Sequence, residues 1–175
     1  MGNRSPRHIL STFLASAVLV ALSGAALAAT DAEVGRDASE KESKAVIQRV
    51  FAACPGAKAM LKGSQGFATF AGVGAGSGGS GVARPTATRQ PVYMRFDDSG
   101  APPGSAKRDL VFVFATRDGL SNFAVKGATL GGAAESGATG DCSQALAPGI
   151  RVIQMEGKRV VGGDVPTARY SHATL

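Results

Sequence analysis

The run Asp109-Leu110-Val111-Phe112-Val113-Phe114-Ala115-Thr116 is the most hydrophobic of the chain outside its N-terminus. β-Branched and aromatic residues occupy both of its parities, so a strand built from it has no face that suits water. Extended, Leu110 to Thr116 would span roughly 23 Å at about 3.3 Å per residue. Such a strand belongs in the middle of a sheet with a layer against each face, and the rest of the 175-residue chain must supply both layers. That length suits one domain.

At the N-terminus Arg4, Arg7 and His8 precede an apolar run from Ile9 to Leu22, and Ala26-Leu27-Ala28 follows as a small-x-small site. Basic n-region, apolar h-region and cleavage site make a secretory leader. Residues 1–28 therefore read as a signal peptide cut after Ala28, residues 29–38 as a loose polar segment, and residues 39–175 as the folded domain. An uncleaved anchor is the alternative reading, although the run is short for a membrane span. No second long apolar segment follows, so the cleaved chain is expected to be periplasmic or secreted without a transmembrane span. In such a compartment Cys54 and Cys142 are most simply a disulfide, with two free buried thiols as the alternative.

Beyond Ser39, Ala45, Val46, Val50, Phe51 and Cys54 recur mostly at three- and four-residue spacing, which predicts a helix ended by Pro55. A second short helix is predicted over Ala57–Lys62. The pair either caps the sheet or lies on a membrane; Glu40 and Glu42 among the lysines favour the cap. Strands are expected over Gly66–Phe70, Val92–Phe96 and Ala128–Ala138. A helix is expected over about Asp118–Val125, capped near Thr116 and stopped at Gly127. A loop is expected over Gly140–Pro148. A hairpin is predicted from Ile150–Met155 and Arg159–Val165 around Glu156-Gly157-Lys158. The fold class that results is α+β: a mainly antiparallel, twisted, barrel-like sheet with an N-terminal helical pair and one further helix.

Between two of these strands lies Gly72-Val73-Gly74-Ala75-Gly76-Ser77-Gly78-Gly79-Ser80-Gly81. Gly74-x-Gly76-x-x-Gly79 matches the dinucleotide fingerprint as a string, but that site needs a helix to open at once, and Pro85 forbids it. The period-two spacing of Gly72, Gly74, Gly76 and Gly78 would place all four on one face of a strand. A face without side chains admits another layer closely, either the protein's own helix or a ligand such as an acyl chain.

Taken in order, several pieces resemble the SYLF family, a lipid-binding domain. They are Gly66-Phe67-Ala68-Thr69-Phe70, Gly79-Ser80-Gly81-Val82-Ala83, Val92-Tyr93-Met94-Arg95 and Leu110–Thr116 with Leu120-Ser121-Asn122-Phe123 and Gly127. Gly131-Gly132-Ala133-Ala134 and the closing hairpin complete the set. Ala128 stands where relatives usually carry Trp. The resemblance implies a non-enzymatic, exported, envelope-associated lipid-binding protein whose partner is a phospholipid, an acyl chain or an anionic membrane surface. The alternative is a structural or stress-related envelope protein that acts through protein contacts with no bound ligand.

The candidate lipid-binding residues are Gly72, Gly74, Gly76 and Gly78 together with the cations Lys62, Arg95, Lys107 and Arg108. These cations either form a face for anionic headgroups or are ordinary solvated charge. His172 is the one histidine left after cleavage, and there is no Gly-x-Ser-x-Gly elbow. No catalytic residue, cofactor or metal is therefore expected. Nucleic acid is not expected as a partner either, because basic clusters interleaved with stacking aromatics are lacking.

Overall fold

A computed structural model describes residues 21–102, 104–136 and 140–174. Residues 1–20, which carry most of the expected leader, lie outside them, as do Pro103, residues 137–139, the first two of which belong to the expected strand, and Leu175. Three helices and ten strands are described: α1 (Ala21–Ala53), α2 (Ala57–Gly63), β1 (Gly66–Val73), β2 (Gly79–Pro85), β3 (Val92–Asp97), β4 (Arg108–Phe114), α3 (Arg117–Lys126), β5 (Ala128–Gly132), β6 (Glu135–Ser136), β7 (Gln144–Ala147), β8 (Ile150–Glu156), β9 (Arg159–Val161) and β10 (Val165–His172). The class is α+β, as the sequence predicts.

The strands form one sheet in the order β5-β10-β3-β2-β1-β4-β8-β7-β6, with β9 paired to β8, and every pairing is antiparallel. The two end strands, β5 and β6, are consecutive in the chain and separated by Ala133 and Ala134 alone. Two linking residues reach at most about 11 Å. The sheet must therefore curl until its edges almost meet, which makes it a nearly closed barrel.

The central run behaves as its two greasy faces require. Leu110, Phe112 and Phe114 point into the barrel, where they pack with Phe70, Met94, Phe96, Val152 and Tyr170. Val111 and Val113 point outward onto Val46, Val50, Cys54, Ala57 and Leu61 of the helical pair. Burying each of the Val, Leu, Met and Phe side chains among these contributes roughly 1.5–3 kcal/mol. One end of the barrel is plugged by α3, whose Leu120, Phe123 and Ala124 join the interior. Its start is capped by Thr116 Oγ1, which accepts the Gly119 N–H at 3.1 Å. Gly127 ends it with φ of 74°.

Helix α1 grips the outer face in two ways. Val46, Val50 and Cys54 supply apolar contact. Nearer the N-terminus, Ser39 donates to Ser80 Oγ at 3.0 Å, Thr69 donates to Ser43 Oγ at 2.6 Å, and Glu40 accepts from Arg84 at 2.9 Å and from Tyr93 at 2.8 Å. Cys54, at its C-terminal end, is disulfide-bonded to Cys142, with Cα atoms 6.2 Å apart. No described helix is long and apolar enough to cross a membrane.

Several expectations are corrected. Residues 29–38, read as loose, are helical and belong to α1. The predicted strand over Ala128–Ala138 is two short strands, β5 and β6. The predicted loop over Gly140–Pro148 holds β7. The second hairpin arm stops at Val161, and Val165–His172 forms a separate strand between β3 and β5. A bulge between Val165 and Ala168 breaks the alternation that would have marked it in the sequence.

Candidate functional site at the barrel mouth

The end of the barrel opposite α3 is open. A cleft of about 450 Å³ lies there, bounded by Gly74, the loop around Gly100–Pro102 and Ser105–Ala106, Arg108 at the start of β4, Gly132, and Asp164–Thr167 leading into β10. Ala101, Pro102, Ala106, Val165 and Pro166 make much of its wall apolar, and Arg108 supplies its cation.

Strand parity explains why a cation stands at this point. Arg108 shares its face of β4 with Leu110 and Phe112, which are interior, so its side chain heads into the barrel mouth. Gln154 lies directly opposite Leu110 on β8, and Gln144 lies opposite Val152 on β7, so both glutamines are interior too. The three form a polar chain beneath the cleft. Arg108 Nη1 donates to Gln154 Oε1 at 2.8 Å and to the Asp164 carbonyl at 2.6 Å. Gln154 Nε2 donates to Gln144 Oε1 at 2.8 Å and to the Gly163 carbonyl at 2.8 Å. Gln154 is fully buried, whereas the Nε of Arg108 is buried without an acceptor among the described residues.

The glycine stretch adjoins this mouth but is not the ribbon its spacing suggests. Gly72 and Val73 end β1, and β2 begins only at Gly79, so residues 74–78 are a turn. Gly72 has φ of 72° at the bulge near the end of β1, and Gly74, Gly76 and Gly78 have φ between 65° and 103°, outside the region of regular strand. With Ala75 and Ser77 alternating between them, the last three aim their N–H groups the same way and form a nest for an anion. The anion is the protein's own. Asp98 accepts from Gly74 and Gly78 at 2.7 Å each and from Gly76 at 3.1 Å. Burial pushes the Asp98 carboxyl up, yet the glycine N–H groups outweigh it and hold the group below its usual range. Gly72 N–H goes instead to Asp109 Oδ1 at 3.1 Å, and Asp109 Oδ2 takes Arg49 of α1 at 2.6 Å.

Of the eight candidate lipid-binding residues, Gly74 and Arg108 line the cleft. Lys62 is exposed on α2, near the other end of β1, where the Gln65 N–H bonds the Phe114 carbonyl. Arg95 is exposed on the outer side of β3, and its Nε donates to Ser171 at 3.2 Å. Lys107 is exposed and outside the lining. The cations therefore do not make one face. Sequence reading missed Asp98, Gln144, Gln154 and the Asp164–Thr167 wall. The first had a signal in the alternating glycines, which need an anion once folded as a nest. Gln144 had none, because β7 is short and its stretch reads as loop, and Gln154 stands in the predicted arm Ile150–Met155 without a local sign of its partners.

Within the described residues no group of three or more His, Cys, Asp or Glu side chains is placed to hold a metal ion. No protein-family model matches the chain, and no curated protein matches it significantly.

Proposed function

We propose that this is a non-enzymatic, exported protein that binds an anionic lipid at the barrel mouth, as the SYLF-like order of its sequence pieces suggests. The observation that carries the reading is the cleft of about 450 Å³ with partly apolar walls and Arg108 in its lining. Ligand sites are commonly concave, mostly apolar and furnished with a few placed polar groups, in a volume range of about 300–1,000 Å³. The Cys54–Cys142 disulfide supports maturation in an oxidising compartment, in keeping with a leader at residues 1–28.

The test is sedimentation of the purified protein with anionic vesicles of phosphatidylglycerol and phosphatidic acid and with phosphatidylcholine vesicles, paired with mass spectrometry of co-purified lipid. Binding to the anionic vesicles is expected, weakening as salt rises. A protein that carries no lipid and ignores both vesicle types at low salt sinks the reading. The second reading is an envelope protein that acts through protein contacts alone. It draws on the aromatic filling of the barrel interior, which leaves little room for a ligand deeper than the mouth.

A further inference from the structure

We infer that Arg108 is the receptor for a single oxyanion, carboxylate or phosphate monoester, carried on a ligand whose apolar part stays outside the barrel. This rests on placing the ligand at the mouth, as proposed above.

The first reason is an unmet donor. The Nε–H of Arg108 is buried and finds no acceptor among the described residues, and a buried charged donor left in that state is costly. A ligand oxygen in the cleft that Arg108 lines removes that cost where the guanidinium turns its Nε–H toward it. The second reason is preorganisation. Both acceptors of Nη1 are fixed. One is the backbone carbonyl of Asp164, and the other is Gln154, whose amide nitrogen already has two acceptors and whose oxygen must therefore face the guanidinium. The planar fork is held before any ligand arrives, so less rotamer entropy is lost on binding.

The third reason is charge. Asp98 is occupied by three glycine N–H groups and Asp109 by Arg49 and Gly72. Asp164, the one carboxylate that lines the cleft with Arg108, is exposed and gives Arg108 only its backbone carbonyl among the described bonds. None of the described ion pairs includes Arg108. Finally, the lumen below is filled by Leu110, Phe112, Phe70 and Tyr170, all fully buried or nearly so. An acyl chain has no path inward and must lie along the cleft wall of Ala101, Pro102, Ala106, Val165 and Pro166. The site thus reads the charged end of a lipid and does not swallow its tail.

The experiment follows the Nε–H resonance of Arg108 by NMR, assigned by its loss in Arg108→Lys. The wild-type chain is titrated with inorganic phosphate, acetate, dihexanoyl phosphatidic acid and dihexanoyl phosphatidylcholine. The resonance is expected to move with phosphatidic acid, to move at higher concentration with phosphate and acetate, and to stay still with phosphatidylcholine, whose phosphate is a diester beneath a cation. Arg108→Lys keeps the charge but loses the fork, and its affinity for phosphatidic acid should fall about ten-fold or more.

A resonance that ignores every oxyanion overturns the inference, even where vesicles still bind, and that result leaves the lipid reading standing. Equal affinity in a folded Arg108→Lys protein overturns it as well. Should that variant not fold, the wild-type titration decides alone. Movement with phosphate and acetate but not with phosphatidic acid assigns the site to a free oxyanion and overturns the lipid source.

Discussion

The carboxylate of Asp98 accepts the N–H of Gly74 at 2.7 Å, across 24 residues of sequence, and that bond ties the end of β3 to the turn between β1 and β2. Gly76 and Gly78 add two more bonds to the same buried carboxylate. Asp98→Ala orphans all three donors and should destabilise the fold by on the order of 3 kcal/mol. Asp98→Asn keeps one acceptor oxygen and should cost less. The pH dependence has a definite sign. The folded carboxyl is held below its ordinary value of 3.8, so its contribution is fully present above that value and is lost as pH falls through the lower folded one. Urea unfolding of wild type and Asp98→Asn between pH 7 and pH 2 checks this. The stability gap between the two should be flat near neutrality and should narrow only in strong acid.

The glycines of the same turn are expected to differ from one another. A Cβ added at Gly76 meets nothing within 4 Å, so Gly76→Ala bears only the cost of φ at +73°, about 1–2 kcal/mol. A Cβ at Gly74 would lie 2.8 Å from the Ala106 carbonyl oxygen in addition to its positive φ, so Gly74→Ala should cost more. Gly81, in β2, has no positive φ, but its Cβ would come within 2.2 Å of the buried ring of Phe70, so Gly81→Ala should be the most damaging of the three. Thermal denaturation of the three variants gives the order directly. Equal losses at Gly74 and Gly76 would contradict the close approach at Ala106.

How far the sequence could be read depends on the kind of contact each element makes. The strand at Leu110–Phe114, the helix with Val46, Val50 and Cys54, and the Glu156–Arg159 hairpin all carry local patterns, and the structure contains all three. The strand Val165–His172 carries none. Its bulge disrupts the alternation, and Pro166 argues against a strand, yet long-range pairing with β3 and β5 holds it. The glycine turn misleads for a related reason. Period-two spacing is shared by a strand face and by a nest, and the choice between them is made by Asp98, 20 residues beyond Gly78. The polar chain from Arg108 through Gln154 to Gln144 is invisible for the same cause, since its members meet only when three strands come into register.

Tyr170 is fully buried among aromatic rings, 4.5 Å from Phe70 and 5.1 Å from Phe112 between centroids, and its hydroxyl has no hydrogen-bond partner among the described residues. Burial pushes the phenol far above its ordinary range, and the charge on Asp98 adds to the effect. The hydroxyl therefore does not ionise at accessible pH, and it bears a desolvation cost with no bond in return. Tyr170→Phe keeps the ring and removes that cost, so it should stabilise the protein by about 1 kcal/mol. The midpoint of thermal unfolding should rise by roughly 2–4 °C. A destabilised variant would mean that the hydroxyl has an acceptor in solution, such as an internal water.

The Cys54–Cys142 bond closes a separation of 88 residues, spanning every strand from β1 to β6. It also holds Cys142 at φ of 60°, a conformation that residues other than glycine seldom adopt. Constraint of the unfolded chain over a loop of that length is worth about 4–5 kcal/mol in the entropic account. The double substitution Cys54→Ala with Cys142→Ala should lose most of that, offset by whatever strain at residue 142 is relieved. The native contacts of α1 and α2 do not depend on the crosslink, because Val46 and Val50 of α1 and Leu61 of α2 remain buried against β4 and β8. The variant should therefore fold to the same far-UV spectrum while unfolding at a much lower urea concentration. A second arm separates lost side-chain packing from lost constraint: wild-type protein in excess dithiothreitol should match the double variant to within about 1 kcal/mol. A variant as stable as untreated wild type, with reductant also without effect, would show that the two sulfurs are not joined in the native protein.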